Sequence, residues 1–170
     1  MKNRPPFEVR FAKDRQKFSA AHFTLFPDGS AERLHGHNYL VEAAFVGEVG
    51  VCGLVFPFHE AKAMLTALCN SWDERVLLPG KSPWLTITSG GTQIEARLTT
   101  PKIGKFYSFP AEDVVLLDCD NVSCENLTAL LTDRLAAEVE TRGWPLRSVE
   151  LRLFESSGQS VLLRRDLPFG

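Results

Sequence analysis

The sequence predicts an α+β protein in which two helices cover one face of an antiparallel β-sheet. Two observations lead to this fold class. First, several segments show alternating apolar residues, and short turn-like sequences join these segments as hairpins. Second, two longer segments carry apolar residues at helical spacing. Hairpins combined with amphipathic helices are typical of α+β folds. Because the helices would cover only one face of the sheet, the other face needs a partner, and we expect a homo-oligomer.

The first two strands are predicted on either side of a polar loop. Residues 7–23 alternate loosely and have an irregular middle, whereas residues 24–33 bring Pro, Asp and Gly together, which indicates a loop. Residues 35–48 alternate regularly, so the side chains of His35 and His37 lie on the same strand face as the alternate residues that follow.

The middle of the chain predicts a helix and then short strands. Residues 59–74 carry an apolar stripe at helical spacing. The segments 84–88 and 92–98 flank a Ser-Gly-Gly sequence, which predicts a hairpin. Two further strands are predicted over residues 105–110 and 113–118.

The last part of the chain predicts a second helix and a closing hairpin. The helix begins near Ser123, a suitable N-cap, and ends near Gly143. The strands 147–155 and 159–166 follow it and are joined by a Ser-Ser-Gly turn.

Composition narrows the classes of function. The 170 residues suit one domain, and 19 basic against 21 acidic side chains give a formal charge of −2, which argues against a nucleic-acid binder. No cysteine pair has the spacing of a structural zinc site, and no apolar run suits a membrane helix or a signal peptide. We therefore expect a reduced, cytoplasmic protein with no membrane partner.

Three of the four histidines fall on the first two predicted strands. His35 and His37 stand at positions i and i+2, so their side chains share a face, and Gly36 between them lets a ligand approach closely. His22 ends the first strand. If the two strands pair as a hairpin, His22 comes close to the other two histidines.

Three neutral imidazoles at close range favour a Zn²⁺ site, and three protein ligands leave a fourth position open for a substrate oxygen, as in catalytic zinc sites. The alternative is that each histidine is an ordinary surface or core residue. Their clustering on adjacent strands favours the metal. His59 opens a helix after Pro57, and we interpret it as a surface or subunit-contact residue.

The segments that carry these histidines, 18-FSAAH-22 and 35-HGHNY-39, resemble the 6-pyruvoyltetrahydropterin synthase / 6-carboxytetrahydropterin synthase family. Weaker similarities follow in the same order along most of the chain: 53-GLVFPFHEAKAML-65, Trp72-Asp73-Glu74, Ser123-Cys124-Glu125-Asn126 and Leu153-Phe154-Glu155. Compared with the family pattern, residues 1–170 resemble a single domain that carries an inserted hairpin region at about 78–112.

The resemblance implies the tunnelling fold, which assembles into ring-like oligomers, here a trimer or hexamer, with active sites at subunit interfaces. It implies that His22, His35 and His37 hold Zn²⁺, which binds hydroxyls of 7,8-dihydroneopterin triphosphate or a similar pterin. Glu155 would accept hydrogen bonds from the pterin ring, and Glu125 is a further candidate in that pocket. The alternatives are a surface carboxylate at a strand end for Glu155 and a carboxylate that stabilises the helix N-terminus for Glu125.

The chain departs from the family pattern at the catalytic positions. The family's catalytic cysteine lies four residues before His35, where this chain has Ala31, and no cysteine lies within residues 24–37. The catalytic Asp-His pair is also changed, because Asp73 is retained but Glu74 stands in the place of the histidine.

Glu32 is a candidate replacement for the thiol. It gives the pattern E-x-x-H-G-H, which resembles a subgroup that cleaves the pterin side chain to 6-hydroxymethyl-7,8-dihydropterin for folate synthesis. A carboxylate beside a metal-bound diol can take a hydroxyl proton and start a retro-aldol cleavage, and burial is expected to raise its pKa toward that task. The alternative is a solvated loop carboxylate beside Arg33.

Three function hypotheses follow. The first is a zinc-dependent carbon–oxygen or carbon–carbon lyase of this family that acts on a reduced pterin, with Glu32, Asp73 and Glu74 as catalytic candidates. The second is the Glu32-dependent cleavage of the folate route. The third is a non-catalytic pterin-binding paralogue that keeps zinc and Glu155. A purely structural ring-forming protein would explain the oligomer but not the three histidines. The sequence leaves open whether the pathway is that of biopterin, of deazaguanines such as queuosine, or of folate.

Overall fold

The computed structural model describes residues 5–168, apart from the side chains at positions 13–15 and 51. These residues form two sheets and two α-helices. The termini of the predicted single domain, residues 1–4 and 169–170, lie outside the described residues. The strands are β1 Phe7–His22, β2 His35–Gly47, β3 Arg75–Pro79, β4 Leu85–Gly90, β5 Gln93–Thr99, β6 Gly104–Pro110, β7 Val114–Leu117, β8 Leu146–Ser156 and β9 Gln159–Asp166. The helices are α1 Phe58–Asn70 and α2 Cys124–Arg142.

The larger sheet has the strand order β7-β3-β1-β2-β8-β9. Its four long strands form antiparallel neighbours, which confirms the predicted α+β class with both strand hairpins, β1–β2 and β8–β9. At one edge the short strand β3 pairs parallel to β1, and β7 pairs parallel to β3. The parallel pairs place the segment that follows α1 directly beside β1.

Strand β3 was not predicted, and the helix predicted over residues 59–74 ends at Asn70. The reason lies in the burial of β3 on both faces. Leu77 packs into the main core, whereas Leu78 packs into a second core on the other side. A strand buried on both faces shows no alternation of apolar and polar residues, so its sequence carries no signal of period two.

A bulge in β1 sets the direction of His22. Between Ala12 and Lys17, β1 advances five residues while its partner β2 advances two. Strand β1 therefore contains three extra residues. Because this number is odd, the side chains that face the core change from odd-numbered residues such as Phe11 to even-numbered residues such as Phe18. The irregular middle that the sequence predicts therefore turns His22 to the face that the helices cover.

The main core lies between the six-stranded sheet and the two helices. Both helices pack on the sheet and on each other, so they cover the same face, as predicted. Ser123 caps α2, since its hydroxyl accepts a hydrogen bond from the Asn126 N–H, and Gly143 ends the helix with a φ of 63°. No helix among residues 5–168 is long and apolar enough to cross a membrane.

Strands β4, β5 and β6 form a separate antiparallel sheet. The predicted hairpin is present, with its turn at Gly91, whose φ is 64°. This sheet packs over a second core that includes Phe23 and Leu25, the first and third residues after β1. The second sheet therefore covers the start of the loop between β1 and β2.

Candidate metal and catalytic site

The pairing of β1 with β2 brings His22, His35 and His37 together, and we call this group the histidine triad. His22 lies directly opposite His35, and Ala20 lies opposite His37, so the three rings share one sheet face. The ring centroids are 4.8 Å apart for His22 and His35, 5.4 Å for His22 and His37, and 4.8 Å for His35 and His37. One ring nitrogen from each histidine lies within 4.8 Å of the other two, which is a spacing that one metal ion can bridge.

Backbone carbonyls fix the orientation of two of the rings. The Nδ1 atom of His22 lies 3.0 Å from the carbonyl oxygen of Val122, and Nδ1 of His35 lies 2.8 Å from that of Arg33. A carbonyl only accepts, so Nδ1 carries the proton in each ring and the Nε2 lone pair is left for another partner. Backbone acceptors of this kind commonly orient metal-binding histidines.

The protonation state of His22 also suits a ligand. Its side chain is 1% exposed, and burial lowers its pKa below the ordinary value. The hydrogen bond to Val122 raises the pKa and the neighbouring His35 lowers it, with a net decrease. His22 is therefore neutral at pH 7, as metal coordination requires. The donor set and its orientation fit a metal ion that prefers imidazole nitrogen, such as Zn²⁺.

Glu155 lies beside the triad, at the end of β8. Its Oε1 atom is 3.7 Å from Nε2 of His22 and 3.8 Å from Nε2 of His37. The hydroxyl of Tyr39 lies 3.2 Å from the same carboxylate oxygen and 3.0 Å from Nε2 of His22. The predicted pterin-binding carboxylate is therefore in the same site as the triad and is held there by a buried tyrosine.

Glu32 approaches the triad from the other side. Its Oε2 atom lies 3.9 Å from Nε2 of His35 and accepts a hydrogen bond of 3.1 Å from the Thr24 N–H. Burial raises the pKa of Glu32. The hydrogen bond from Thr24 and the charges of His35 and His22 lower this pKa by more than burial raises it, so the net pKa lies below the ordinary value. The expectation that burial would leave this pKa raised is therefore wrong. Glu32 is ionised at neutral pH, which suits a base.

Asp73 and Glu74 do not join this cluster within one chain. Among the side chains that the structure describes, the carboxylates that lie within 4 Å of a triad nitrogen belong to Glu32 and Glu155. Asp73 instead accepts a hydrogen bond of 2.7 Å from the Ser19 N–H, and Glu74, at φ 56°, donates its N–H to the Ser19 carbonyl.

These two acidic residues lie near the β3 side of β1, the side opposite to β2. Glu74 lines a cavity of about 490 Å³ together with Arg75 and Asp113, and His37 lines the same cavity. The cavity connects the segment before β3 with one member of the triad.

Glu125 and the cysteines add no base to the site. Glu125 is exposed in the first turn of α2, where its charge contributes to the raised pKa of the neighbouring Cys124. Burial is the main cause that raises the pKa of Cys124 to about 11 and that of Cys119 to about 11. Both thiols are therefore protonated at neutral pH, and neither replaces the thiolate that is missing at Ala31.

Tyr39 is the site residue that the sequence interpretation missed. It has the same parity as His35 and His37 on a strand that alternates regularly, so its place on the triad face was available from the sequence. The Val122 carbonyl and the Thr24 N–H had no sequence signal, because any residue type supplies these backbone groups. His59 is exposed at the start of α1, as predicted.

Comparisons with known proteins identify the family of the chain. The model of the 6-pyruvoyl tetrahydropterin synthase family matches residues 12–166. A protein of Pyrococcus abyssi with the provisional name 6-carboxy-5,6,7,8-tetrahydropterin synthase is 29% identical over 141 residues, which are 82% of this chain and 80% of the relative. A protein of Methanocaldococcus jannaschii with the same provisional name is 26% identical over 153 residues, 89% of this chain and 91% of the relative.

Solved structures are similar over almost the whole chain. The crystal structure of 6-pyruvoyl tetrahydropterin synthase from Plasmodium vivax has a TM-score of 0.87 at 26% identity and covers 96% of this chain and 100% of that chain. A variant of the P. vivax protein, in which a glutamate described as a catalytic residue is replaced by alanine, has a TM-score of 0.88 at 25% identity, with the same coverage of both chains. These similarities confirm the resemblance inferred from the sequence.

Proposed function

This chain belongs to the 6-pyruvoyl tetrahydropterin synthase family, and from this premise we propose that it is a zinc-dependent lyase acting on the side chain of 7,8-dihydroneopterin triphosphate or a related reduced pterin. One observation carries the proposal above all. A carboxylate, that of Glu32, lies 3.9 Å from Nε2 of His35 at the edge of a three-histidine group. A carboxylate beside a group suited to hold a metal supports Glu32 as the base, one residue after Ala31, the position at which the family pattern has its catalytic cysteine.

The histidine triad would hold the metal through its ring nitrogens. A bound Zn²⁺ would act as a Lewis acid toward a substrate hydroxyl. The Nδ1–H groups of His22 and His35 would keep donating to the backbone carbonyls of Val122 and Arg33, so these two rings would keep their orientation during turnover.

Glu155 would bind the pterin ring. Its two carboxylate oxygens match two parallel N–H donors, and the Tyr39 hydroxyl holds one of them in place. The side chain of Glu155 is 22% exposed, so one part remains open to a ligand. Glu125, exposed in the first turn of α2, remains a weaker candidate for the same task.

Glu32 would act as the general base. Its lowered pKa keeps it ionised at neutral pH, and the Thr24 N–H holds its carboxylate toward the triad. It would remove a proton from a carbon or a hydroxyl of the substrate side chain.

The choice of glutamate favours a second candidate within the same reaction class, carbon–carbon cleavage to 6-hydroxymethyl-7,8-dihydropterin. Glu32 would take the proton of the second side-chain hydroxyl, and that carbon would become an aldehyde as its bond to the first side-chain carbon breaks. The electron pair would pass to the first carbon, conjugated with the pterin ring, which is then protonated. A related P. vivax structure is a variant at a glutamate that is described as catalytic, which supports a glutamate as a catalytic residue in this fold.

We also propose that the protein is a ring-forming homo-oligomer, a trimer or hexamer, and that Asp73 and Glu74 act in the site of a neighbouring subunit. Within one chain they lie near the β3 side of β1, whereas Glu32 lies in the loop between β1 and β2. A neighbouring copy would let both groups take part in one reaction.

The test is turnover by zinc-loaded protein incubated with 7,8-dihydroneopterin triphosphate, with products identified by mass spectrometry. We expect a product in which the side chain is shortened or has lost triphosphate. The mass then distinguishes the 6-hydroxymethyl, 6-pyruvoyl and 6-carboxy pterins. The Glu32→Gln variant should lose turnover by about 10²-fold or more, as is common for a general base, while its zinc content is unchanged.

Glu95→Gln is a matched control, because Glu95 is exposed on β5, away from the triad. It should turn over at the wild-type rate. Tight binding of the pterin by the wild-type protein without any product would contradict the lyase and support the pterin-binding paralogue.

A further inference from the structure

The loop that carries Glu32, residues 24–34, which we call the Glu32 loop, is bonded to itself. The Glu32 carboxylate accepts from the Thr24 N–H at 3.1 Å, and the Glu32 N–H donates to the Thr24 carbonyl at 3.0 Å. An isolated bridge pairs Leu25 with Ala31. Both the carboxylate and the main-chain N–H of Glu32 are bonded to Thr24, so the main chain and the carboxylate form one unit. A displacement of the Glu32 main chain therefore also displaces the carboxylate.

Strand β6 and the connection between β5 and β6 hold this loop at three points. The Thr100 hydroxyl donates to the Gly29 carbonyl at 2.5 Å, and the Lys102 ammonium lies 2.6 Å from an Asp28 oxygen. The third point is on Glu32 itself, whose main-chain carbonyl accepts a hydrogen bond of 2.8 Å from the Lys105 ammonium. The sheet thus contacts the loop from its tip to the residue beside the triad.

Aromatic packing keeps this part of the sheet in place. Tyr107, two residues beyond Lys105 on β6, stacks on Phe23 with centroids 5.6 Å apart. Phe23 directly follows His22 and is 1% exposed. Strand β6 is therefore fixed against the end of β1 that supplies a triad histidine, and Lys105 extends from this fixed strand to the Glu32 main chain.

Lys105 differs from the other lysine that holds the loop. Lys102 forms an exposed ion pair with Asp28, in which both side chains are more than half exposed. Lys105 is half-buried, and among the described residues its ammonium is bonded to a carbonyl and forms no ion pair within 4 Å. A hydrogen bond from a charged donor is worth more than an exposed ion pair, so Lys105 holds the Glu32 main chain more firmly than Lys102 holds Asp28.

We infer that Lys105 is a positioning residue for the reaction: its ammonium holds the Glu32 main chain and so sets the distance between the Glu32 carboxylate and the histidine triad. The inference rests on the proposed role of Glu32 as base. It also gives a task to the second sheet, which serves as the platform for the Glu32 loop. A displacement of about 1 Å in a reacting group is enough to lower a rate by about 10²-fold.

The first test is steady-state kinetics of zinc-loaded Lys105→Met protein with 7,8-dihydroneopterin triphosphate. Methionine keeps the length and apolar stem of lysine but removes the donor. We expect kcat to fall by about tenfold or more while KM stays within about threefold, because the base is displaced and the substrate contacts are kept. Lys105→Arg should recover a large part of kcat, since it restores a charged donor.

Lys102→Met is the matched control, because it removes a lysine from the same loop contact without touching Glu32. Its kcat should remain within about twofold of the wild type, as expected for the loss of an exposed ion pair. A fall in kcat as large as that of Lys105→Met would show that general anchoring of the loop matters and would overturn the specific role of Lys105.

The second test does not depend on activity. Hydrogen exchange of the peptide that covers residues 24–34 should become faster in Lys105→Met than in Lys102→Met, with the same zinc content in both. Unchanged exchange together with unchanged kcat would overturn the inference. A second result would also overturn it: a Lys105→Met variant whose KM rises for the triphosphate substrate, with kcat unchanged, and whose KM is normal for dihydroneopterin, which lacks the triphosphate. Lys105 would then bind phosphate.

The two proposals fail in different ways. If the wild-type protein and Glu32→Gln both show no turnover, the proposed function fails, and hydrogen exchange alone then decides whether Lys105 positions the loop. If Glu32→Gln abolishes turnover but Lys105→Met does not change it, the base stands and the positioning role is refuted.

Discussion

The hydroxyl of Tyr39 lies 3.0 Å from Nε2 of His22 and 3.2 Å from Oε1 of Glu155, so one proton serves two acceptors. Since Nδ1 of His22 donates to the Val122 carbonyl, Nε2 presents the lone pair that a metal would use. The tyrosine therefore competes with a metal for His22. It also has a second acceptor, Glu155, to which it can donate fully once a metal is bound.

This competition predicts the behaviour of Tyr39→Phe. Removing the hydroxyl removes a hydrogen bond to His22 that the metal must otherwise displace and that is worth at most about 1 kcal/mol, so Zn²⁺ should bind up to about fivefold more tightly. The measurement is a competition titration with a zinc chelator. Tyr107→Phe, on the second sheet, is the control and should bind as the wild type. Weaker binding by Tyr39→Phe would contradict the competition and show that the hydroxyl supports the metal.

The reactivity of the cysteines gives a second prediction. Burial is the largest cause that raises the pKa of Cys69 to about 12, and those of Cys119 and Cys124 to about 11. A raised pKa lowers the thiolate fraction at pH 8, and only the thiolate reacts with iodoacetamide. Brief alkylation at pH 8 should modify the exposed Cys52 and leave the other three thiols intact, as peptide mass mapping would show. Rapid modification of Cys124 would instead indicate an activated thiol near Glu155.

Asn121 gives a prediction about stability. Its side chain accepts from the Leu25 N–H at 2.9 Å and donates to the Leu25 carbonyl at 3.0 Å. Asn121→Ala leaves both backbone groups of a buried residue without these partners, so the free energy of unfolding should fall by about 2 kcal/mol. Urea denaturation measures it.

Asp118→Ala is the control for that change. Asp118 forms an exposed ion pair with Lys81, and its loss should cost less than about 0.5 kcal/mol. Equal effects of the two substitutions would contradict the role of Asn121 in fixing the start of the Glu32 loop.

The sequence predicted the triad because it depends on local rules. The i and i+2 spacing of His35 and His37 fixes a common face, and the hairpin brings His22 opposite His35. Both long hairpins and both helices were also predicted, since alternation and helical spacing are local signals. Strand β3 was missed, because Leu77 and Leu78 are buried on opposite faces and do not alternate with polar residues.

The rest of the site depends on contacts between residues far apart in the sequence. Lys105 lies 73 residues from Glu32, and Val122 lies 100 residues from His22, so no local pattern reports either hydrogen bond. The pKa of Glu32 was expected to rise on burial, but the Thr24 N–H, brought close by the fold of the loop, lowers it. Asp73 and Glu74 were grouped with Glu32 from the resemblance, whereas one chain places them near the β3 side of β1.

The most direct test of the account is X-ray absorption at the zinc edge on protein that has been loaded with Zn²⁺ and freed of excess metal. The account predicts one zinc per chain with three imidazole nitrogens at about 2.0–2.1 Å and no sulfur neighbour. His37→Ala should lose this signal. Purified protein that retains no zinc, or a spectrum with sulfur ligands at about 2.3 Å, would contradict the central claim that His22, His35 and His37 together hold the metal.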